Sequence, residues 1–232
     1  TWMSTCSMTS RATELRLALV VFGLLGMLFV AFPQIDLAVS GLFYRGDGQW
    51  VLHRTSSWLY LPYKGLPRAG QALIALLLLL LLLSFVRRFP ALKARRAVLG
   101  FLLAGGLLGP VLLVDATLKE HSGRARPVKV EQFAGTQKFT PAFIPADQCQ
   151  ANCSFVSGHV ATAAFIMAFG WLGAPAVRRR WLLASIGFAA LLALARMAPG
   201  GHFLSDTIFA WFATYFSLWL TEWIFRRLKW LP

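Results

Sequence analysis

The sequence predicts an all-α, polytopic membrane protein: a bundle of six transmembrane helices with an interfacial helix in its first outer connection. Three observations predict it. Of the 232 residues, 57% are hydrophobic and 14% charged, too little charge to cover a soluble domain. Six apolar runs are long enough to cross about 30 Å of hydrocarbon at about 1.5 Å per residue. The basic residues gather in alternate connections, as the positive-inside rule requires of a multi-pass chain.

Residues 1–14, which do not begin with Met and carry no periodic apolar face, read as a disordered or vector-derived leader. Residues 15–232 read as a single integral-membrane domain. The first apolar run lacks a small-residue cleavage site and is long enough to span, so it is read as a helix rather than a signal peptide. The spans fall at roughly 15–32, 70–86, 97–115, 157–176, 181–196 and 206–225. The second contains "ALIALLLLLLLLSFV", a featureless surface for lipid. The third contains "AGGLLGP", where small residues admit a neighbouring helix and Pro110 kinks the span.

Orientation follows from Lys and Arg. Arg11 and Arg16 precede the first span, Arg87, Arg88, Lys93, Arg95 and Arg96 link the second and third, Arg178, Arg179 and Arg180 link the fourth and fifth, and Arg226, Arg227 and Lys229 follow the sixth. With six spans, all four segments share one side, which places both termini in the cytoplasm. Connections 33–69, 116–156 and 197–205 then face outward. The net charge of +14 reads as inner-face loops and attraction to anionic headgroups, not as a nucleic-acid surface, because no nucleic-acid motif accompanies it.

The first outer connection opens as a short amphipathic helix and turns at Gly46-Asp47-Gly48. Trp50, Trp58, Tyr60 and Tyr63 read as an aromatic belt at headgroup level. Cys149 and Cys153, four apart on the outer side, are a possible disulfide; two free thiols are the alternative, and no second ligand pair supports a metal site. Cys6 lies in the leader.

Three polar blocks lie at the outer ends of the spans. "KEHSGRARP" carries Lys119, Arg126 and Pro127. Ser157-Gly158-His159 opens the fourth span. "ARMAPGGHFLSD" carries Arg196, His202 and Asp206. Arg forks and a Lys point charge suit phosphate oxygens. A helix start with serine and glycine attracts an anion. Two histidines suit proton transfer or nucleophilic attack, and an acid one helical turn from His202 can hold its tautomer. Singly, each residue has a plain structural reading as a cap, a loop histidine or a snorkelling charge; together, on one face, they are the parts of phosphoryl transfer through a phosphohistidine.

The arrangement Lys119, six residues, Arg126-Pro127; Ser157-Gly158-His159; Arg196, five residues, His202, three residues, Asp206 resembles the signature of the type 2 phosphatidic acid phosphatase family, the lipid phosphate phosphatases. The resemblance implies six spans, no metal and no cofactor. It implies His202 as the nucleophile, Asp206 as its orienting acid and His159 as the acid for the leaving oxygen. Lys119, Arg126, Ser157, Gly158 and Arg196 would hold the phosphate. Val156 stands where the family has proline, and Ala195 where it has serine. "CQANCSFVSGH" and "FPQIDLAVSGLFY" resemble the bacterial branch that includes lipid A phosphatases.

The expected substrate is therefore a membrane lipid phosphate or diphosphate at the periplasmic face of a bacterial inner membrane: lipid A phosphate, undecaprenyl diphosphate, phosphatidylglycerol phosphate or phosphatidic acid. Arg124, Lys129 and Lys138 add outer positive charge suited to a multiply anionic headgroup. A lipid-to-lipid phosphotransferase and a non-catalytic lipid binder or transporter are the alternative readings. The oligomeric state is not legible.

Overall fold

The computed structural model describes residues 2–53 and 61–231, with side chains from 11 to 53 and from 63 to 231. Eight helices carry the fold: α1 (Trp2–Ala31), α2 (Gln34–Gly41), α3 (Leu66–Leu83), α4 (Pro90–Ala94), α5 (Arg96–Gly106), α6 (Gly158–Trp171), α7 (Pro175–Met197) and α8 (Leu204–Arg227). The only sheet among the described residues is a hairpin of β1 (Tyr44–Gly46) and β2 (Gln49–Trp50). Its turn is the expected Gly46-Asp47-Gly48, all three at positive φ. α2 is the short helix expected in the first outer connection.

Beyond Gly106, α5 continues as wider i→i+5 turns over Leu107–Leu118, with Pro110 inside. Proline has no N–H to return to the preceding turn and crowds it, so the helix widens instead of breaking. Among the described residues, five helical segments are long and apolar enough to cross a membrane: Arg11–Ala31, Tyr63–Leu83, Arg96–His121, Pro175–Met197 and Leu204–Arg227. The fourth expected span, 157–176, is the shorter apolar helix α6.

α6 is short because it is the centre of the bundle. It packs against α3, α7, α8 and the extension of α5. Val160, Ala161, Ala163, Ala164, Phe165, Met167 and Trp171 are all buried. Lipid instead meets α1 and α3, where Leu17, Val20, Leu24, Leu76, Leu79 and Leu82 are exposed. In "AGGLLG", a Cβ on Gly109 would overlap the Ser217 hydroxyl of α8, so close helix approach depends on small residues there.

The chain departs from the expected boundary at residue 15. Helix α1 already includes Arg11 and Glu14, which are tied into the bundle. Glu14 accepts from Arg178 Nη2 at 2.8 Å and from Tyr215 Oη at 2.7 Å. Glu222 accepts from Arg11 Nη1, Trp171 Nε1 and Arg226 Nε, each at 2.8 Å. Apart from Tyr215, at the middle of α8, these residues belong to the start of α1, the end of α6, the start of α7 and the end of α8, so three of the four basic segments meet at one end of the bundle. Arg178 is not a loop charge: it is buried and stacks 3.8 Å over Trp171. Glu222, buried inside an apolar bundle, is tolerable only because cations and a neutral donor bond it; Glu14, half-buried, is bonded in the same way.

Candidate active site

The three blocks converge at the other end of the bundle. Cys149 and Cys153 are bridged, with Cα atoms 5.6 Å apart. The tethered segment lies along the first block: Cys153 N–H donates to the Lys119 carbonyl and Ser154 N–H to that of Arg124, both at 2.9 Å. Ser157 N–H reaches the Asp206 carbonyl at 3.1 Å. These backbone bonds hold the blocks together before any side chain is considered.

His202 is 1% exposed. Its Nδ1 lies 2.8 Å from the Ser154 carbonyl and 3.6 Å from Asp206 Oδ2. A carbonyl only accepts, so Nδ1 carries the proton and Nε2 keeps its lone pair. Burial, reinforced by the Arg196 cation and opposed by Asp206, lowers the His202 pKa to about 3. The ring is therefore neutral across the physiological range, with its lone pair at Nε2. Asp206 acts more through Ser154 than directly: its Oδ2 accepts from Ser154 Oγ at 2.5 Å and Phe203 N–H at 2.8 Å.

His159 Nε2 is 2.9 Å from the Tyr63 carbonyl, so Nε2 is its donor and Nδ1 is the nitrogen left for another partner. Arg196 is buried, and its guanidinium lies 4.4 Å over the Tyr63 ring. Arg126 Nη2 donates to Asn152 O and Oδ1 at 2.7 and 2.8 Å. Ser157 is fully buried, and its Oγ has no hydrogen-bond partner among the described residues. Its N–H, expected to serve an anion, is already committed to Asp206. Lys119 Nζ sits 3.3 Å from Asp115 Oδ1. A Cβ on Gly158 would collide with that same carboxylate oxygen. A negative group thus already rests on two of the residues expected to hold phosphate.

The site's sequence has relatives. The profile of the PAP2 superfamily matches residues 93–230. The chain belongs to the PAP2 superfamily. It is 34% identical over 220 residues to a lipid A 4'-phosphatase of Francisella tularensis subsp. novicida, covering 92% of this chain and 96% of that one. A lipid A 4'-phosphatase of Rhizobium etli is 33% identical over 211 residues, 80% of this chain and 77% of the relative. One of Rhizobium leguminosarum is 39% identical over 109 residues, 47% and 46% of the two chains. No solved structure matches. With these relatives, the PAP2 chain is a phosphoric monoester hydrolase of the lipid phosphatase kind.

Three residues of this PAP2 site escaped the sequence reading. Arg124, expected as an outer-surface charge, is 1% exposed. Its Nη1 donates to Asp206 Oδ1 at 2.5 Å and Ser205 Oγ at 2.9 Å, its Nη2 to Asp36 Oδ2 at 2.8 Å, and its Nε to the Thr140 carbonyl at 2.8 Å. Asp36 of α2 also accepts from Ser205 N–H at 2.9 Å and Ser205 Oγ at 2.5 Å. Burial pushes its carboxyl upward, against the pull of Arg124. Helix α2 is thus anchored from beneath the His202 loop. Tyr63 is no belt residue: its carbonyl and ring touch His159 and Arg196. Trp50 is likewise buried, against Tyr44 and Phe133. Trp58 and Tyr60 lie outside the described residues. A lone acid in an apolar stretch was the available signal for Asp36, as for Asp115.

Proposed function

We propose that this chain removes a phosphate from lipid A at the periplasmic face of the bacterial inner membrane, with His202 as the attacking group. The observation that carries the reading is the buried His202, whose Nδ1 is fixed by the Ser154 carbonyl. That leaves Nε2 as a nucleophile. Nε2 forms the bond to phosphorus as the lipid oxygen leaves; His159, whose Nε2–H stays with the Tyr63 carbonyl, takes a second proton from solvent at Nδ1 and passes it to that oxygen. Water then takes the phosphoryl group from His202, and inorganic phosphate departs. Lys119, Arg126 and Arg196 balance the charge of the transferring group. Two relatives named lipid A 4'-phosphatase, aligned over most of both chains, support the choice of lipid. The basic segments at the opposite end of the bundle support cytoplasmic termini.

The test is phosphate release by purified protein in detergent with EDTA, across lipid A, undecaprenyl diphosphate, phosphatidylglycerol phosphate and phosphatidic acid. Lipid A is expected to be the fastest substrate, EDTA is expected to change nothing, and rapid quenching is expected to trap an acid-labile, alkali-stable phosphoenzyme. Faster release from another lipid would move the substrate assignment. Binding without release from any of them would favour a lipid carrier.

Asp115 provides a separate check. Its carboxylate competes with phosphate at Lys119 and crowds Gly158. An exposed pair of this kind is worth about 0.2–1 kcal/mol. Asp115→Asn is therefore expected to lower KM by up to about fivefold with kcat little changed. An unchanged or raised KM would show that the carboxylate positions Lys119 rather than competing with substrate.

A further inference from the structure

Beside the His202 loop lies a second cavity of about 310 Å³, lined in part by Trp50, His53, Val128, Lys129 and Pro199. Its volume is at the lower end of ordinary ligand pockets, about 300–1,000 Å³. We propose that it is a headgroup subsite that takes a second anionic group of the substrate, beyond the phosphate that is cleaved. The proposal rests on the lipid phosphatase reading above and names the part of the headgroup that reading leaves unassigned.

The position of the cavity supports this. The turn Pro127–Lys129 follows Arg126 directly. Val128 N–H donates to the Gly200 carbonyl at 3.0 Å, two residues before His202. One wall is therefore built from the two segments that carry Arg126 and His202, so a group bound here is a near neighbour of the cleaved phosphate. The opposite wall comes from the hairpin, whose Leu52 N–H reaches the Ala198 carbonyl at 3.5 Å.

The chemistry of the lining supports an anion or a hydroxylated group. Trp50 is 7% exposed, and its indole Nε1 has no hydrogen-bond partner among the described residues. Its ring is locked: Tyr44 and Phe133 pack against it with centroids 5.4 and 5.2 Å away, and a Cβ on Gly200 would overlap it. An unsatisfied buried N–H costs about 1–3 kcal/mol, which an acceptor on a ligand recovers. Lys129 is exposed and makes no ion pair among the described residues. His53 adds an imidazole, and no acidic residue among the described residues lines the cavity. Of the three outer cations expected to read a multiply charged headgroup, Arg124 is consumed by Asp36 and Asp206, and Lys129 lines this cavity.

The test uses the full chain in detergent and two substrates: lipid A carrying two phosphates, and lipid A carrying only the phosphate that the protein removes. Lys129→Glu is expected to raise KM about three- to tenfold for the doubly phosphorylated lipid and to leave the singly phosphorylated lipid unchanged. Lys138→Glu makes the same charge change outside the cavity and is expected to leave both unchanged. Equal effects of Lys129→Glu on the two lipids, no effect on either, or an equal effect of Lys138→Glu would overturn the subsite while leaving the phosphatase reading intact. No phosphate release by the parent protein from either lipid would remove both.

Discussion

Replacing His202 by alanine is expected to lower the rate of phosphate release by at least about 10⁴-fold, the scale on which an attacking side chain contributes. His159 also donates one ring N–H to a carbonyl, but it is only half-buried, whereas His202 is fully enclosed. The ring is buried, neutral and donates Nδ1–H to a carbonyl, so the whole of its basicity is presented at Nε2. The same environment sets the pH behaviour. Because the folded pKa is lowered to about 3, protonation of His202 does not limit the rate of the free enzyme above about pH 4. The linkage sign follows: the unfolded chain binds this proton near pH 6.5, the native chain only near pH 3. Stability from this group is present above about pH 6.5 and is lost as pH falls through that window. Initial rates of the variant at saturating lipid, with a thermal melt to confirm folding, provide the measurement. Residual activity within tenfold of the parent would assign the attack to another group.

Arg124→Ala is expected to destabilise the protein by about 3–5 kcal/mol, the usual consequence of stripping the partner from a buried charge. The effect is large because two carboxylates depend on this one guanidinium. Without it, Asp36 and Asp206 remain buried with only hydroxyl and backbone donors, and both repel negative charge. Arg124→Lys is expected to recover part of the loss, since an ammonium keeps the charge but cannot fork between Asp36 and Asp206. Asp36→Asn is expected to be milder, and the pair Asp36→Asn with Arg124→Ala less than additive, because the two share one network. Unfolding followed in detergent by intrinsic fluorescence distinguishes these cases. A parent-like melting temperature for Arg124→Ala would mean that the buried network is not a stabilising unit.

Much of the bundle was legible because membrane solvation acts locally. Apolar length marks a helix that must satisfy its own backbone in lipid, and poly-Leu marks a face with no partner. The span at 157–176 shows where that logic stops. Its Ala-rich run is apolar because it is surrounded by other helices, not because it is surrounded by lipid, and composition does not distinguish the two. The leader misread has a related cause: Arg11 and Glu14 look like solvent-facing charges until Glu222, Arg178 and Tyr215 are brought beside them.

The site divides in the same way. Residue type at the outer ends of the spans, and the resemblance of their order and spacing to a family signature, brought Lys119, Arg126, Ser157, Gly158, His159, Arg196, His202 and Asp206 into consideration, because a chemistry that needs several residue types in order leaves a pattern along the chain. The roles of Arg124, Asp36, Asp115, Trp50 and Tyr63 left no such pattern. In "GRARP" two arginines stand two apart; one reaches Asn152 at the surface and the other enters the core to meet Asp36, 88 residues away in sequence. Which of them turns inward depends on where a carboxylate waits, and that is set by the packing of α2 beneath α8. The sequence by itself determined the class of fold and singled out three polar blocks, which the structure brings together at one end of the bundle. Only the tertiary structure decided which charges are partnered in the interior, because desolvation makes such pairings nearly obligatory while distance along the chain says nothing about which partners will meet.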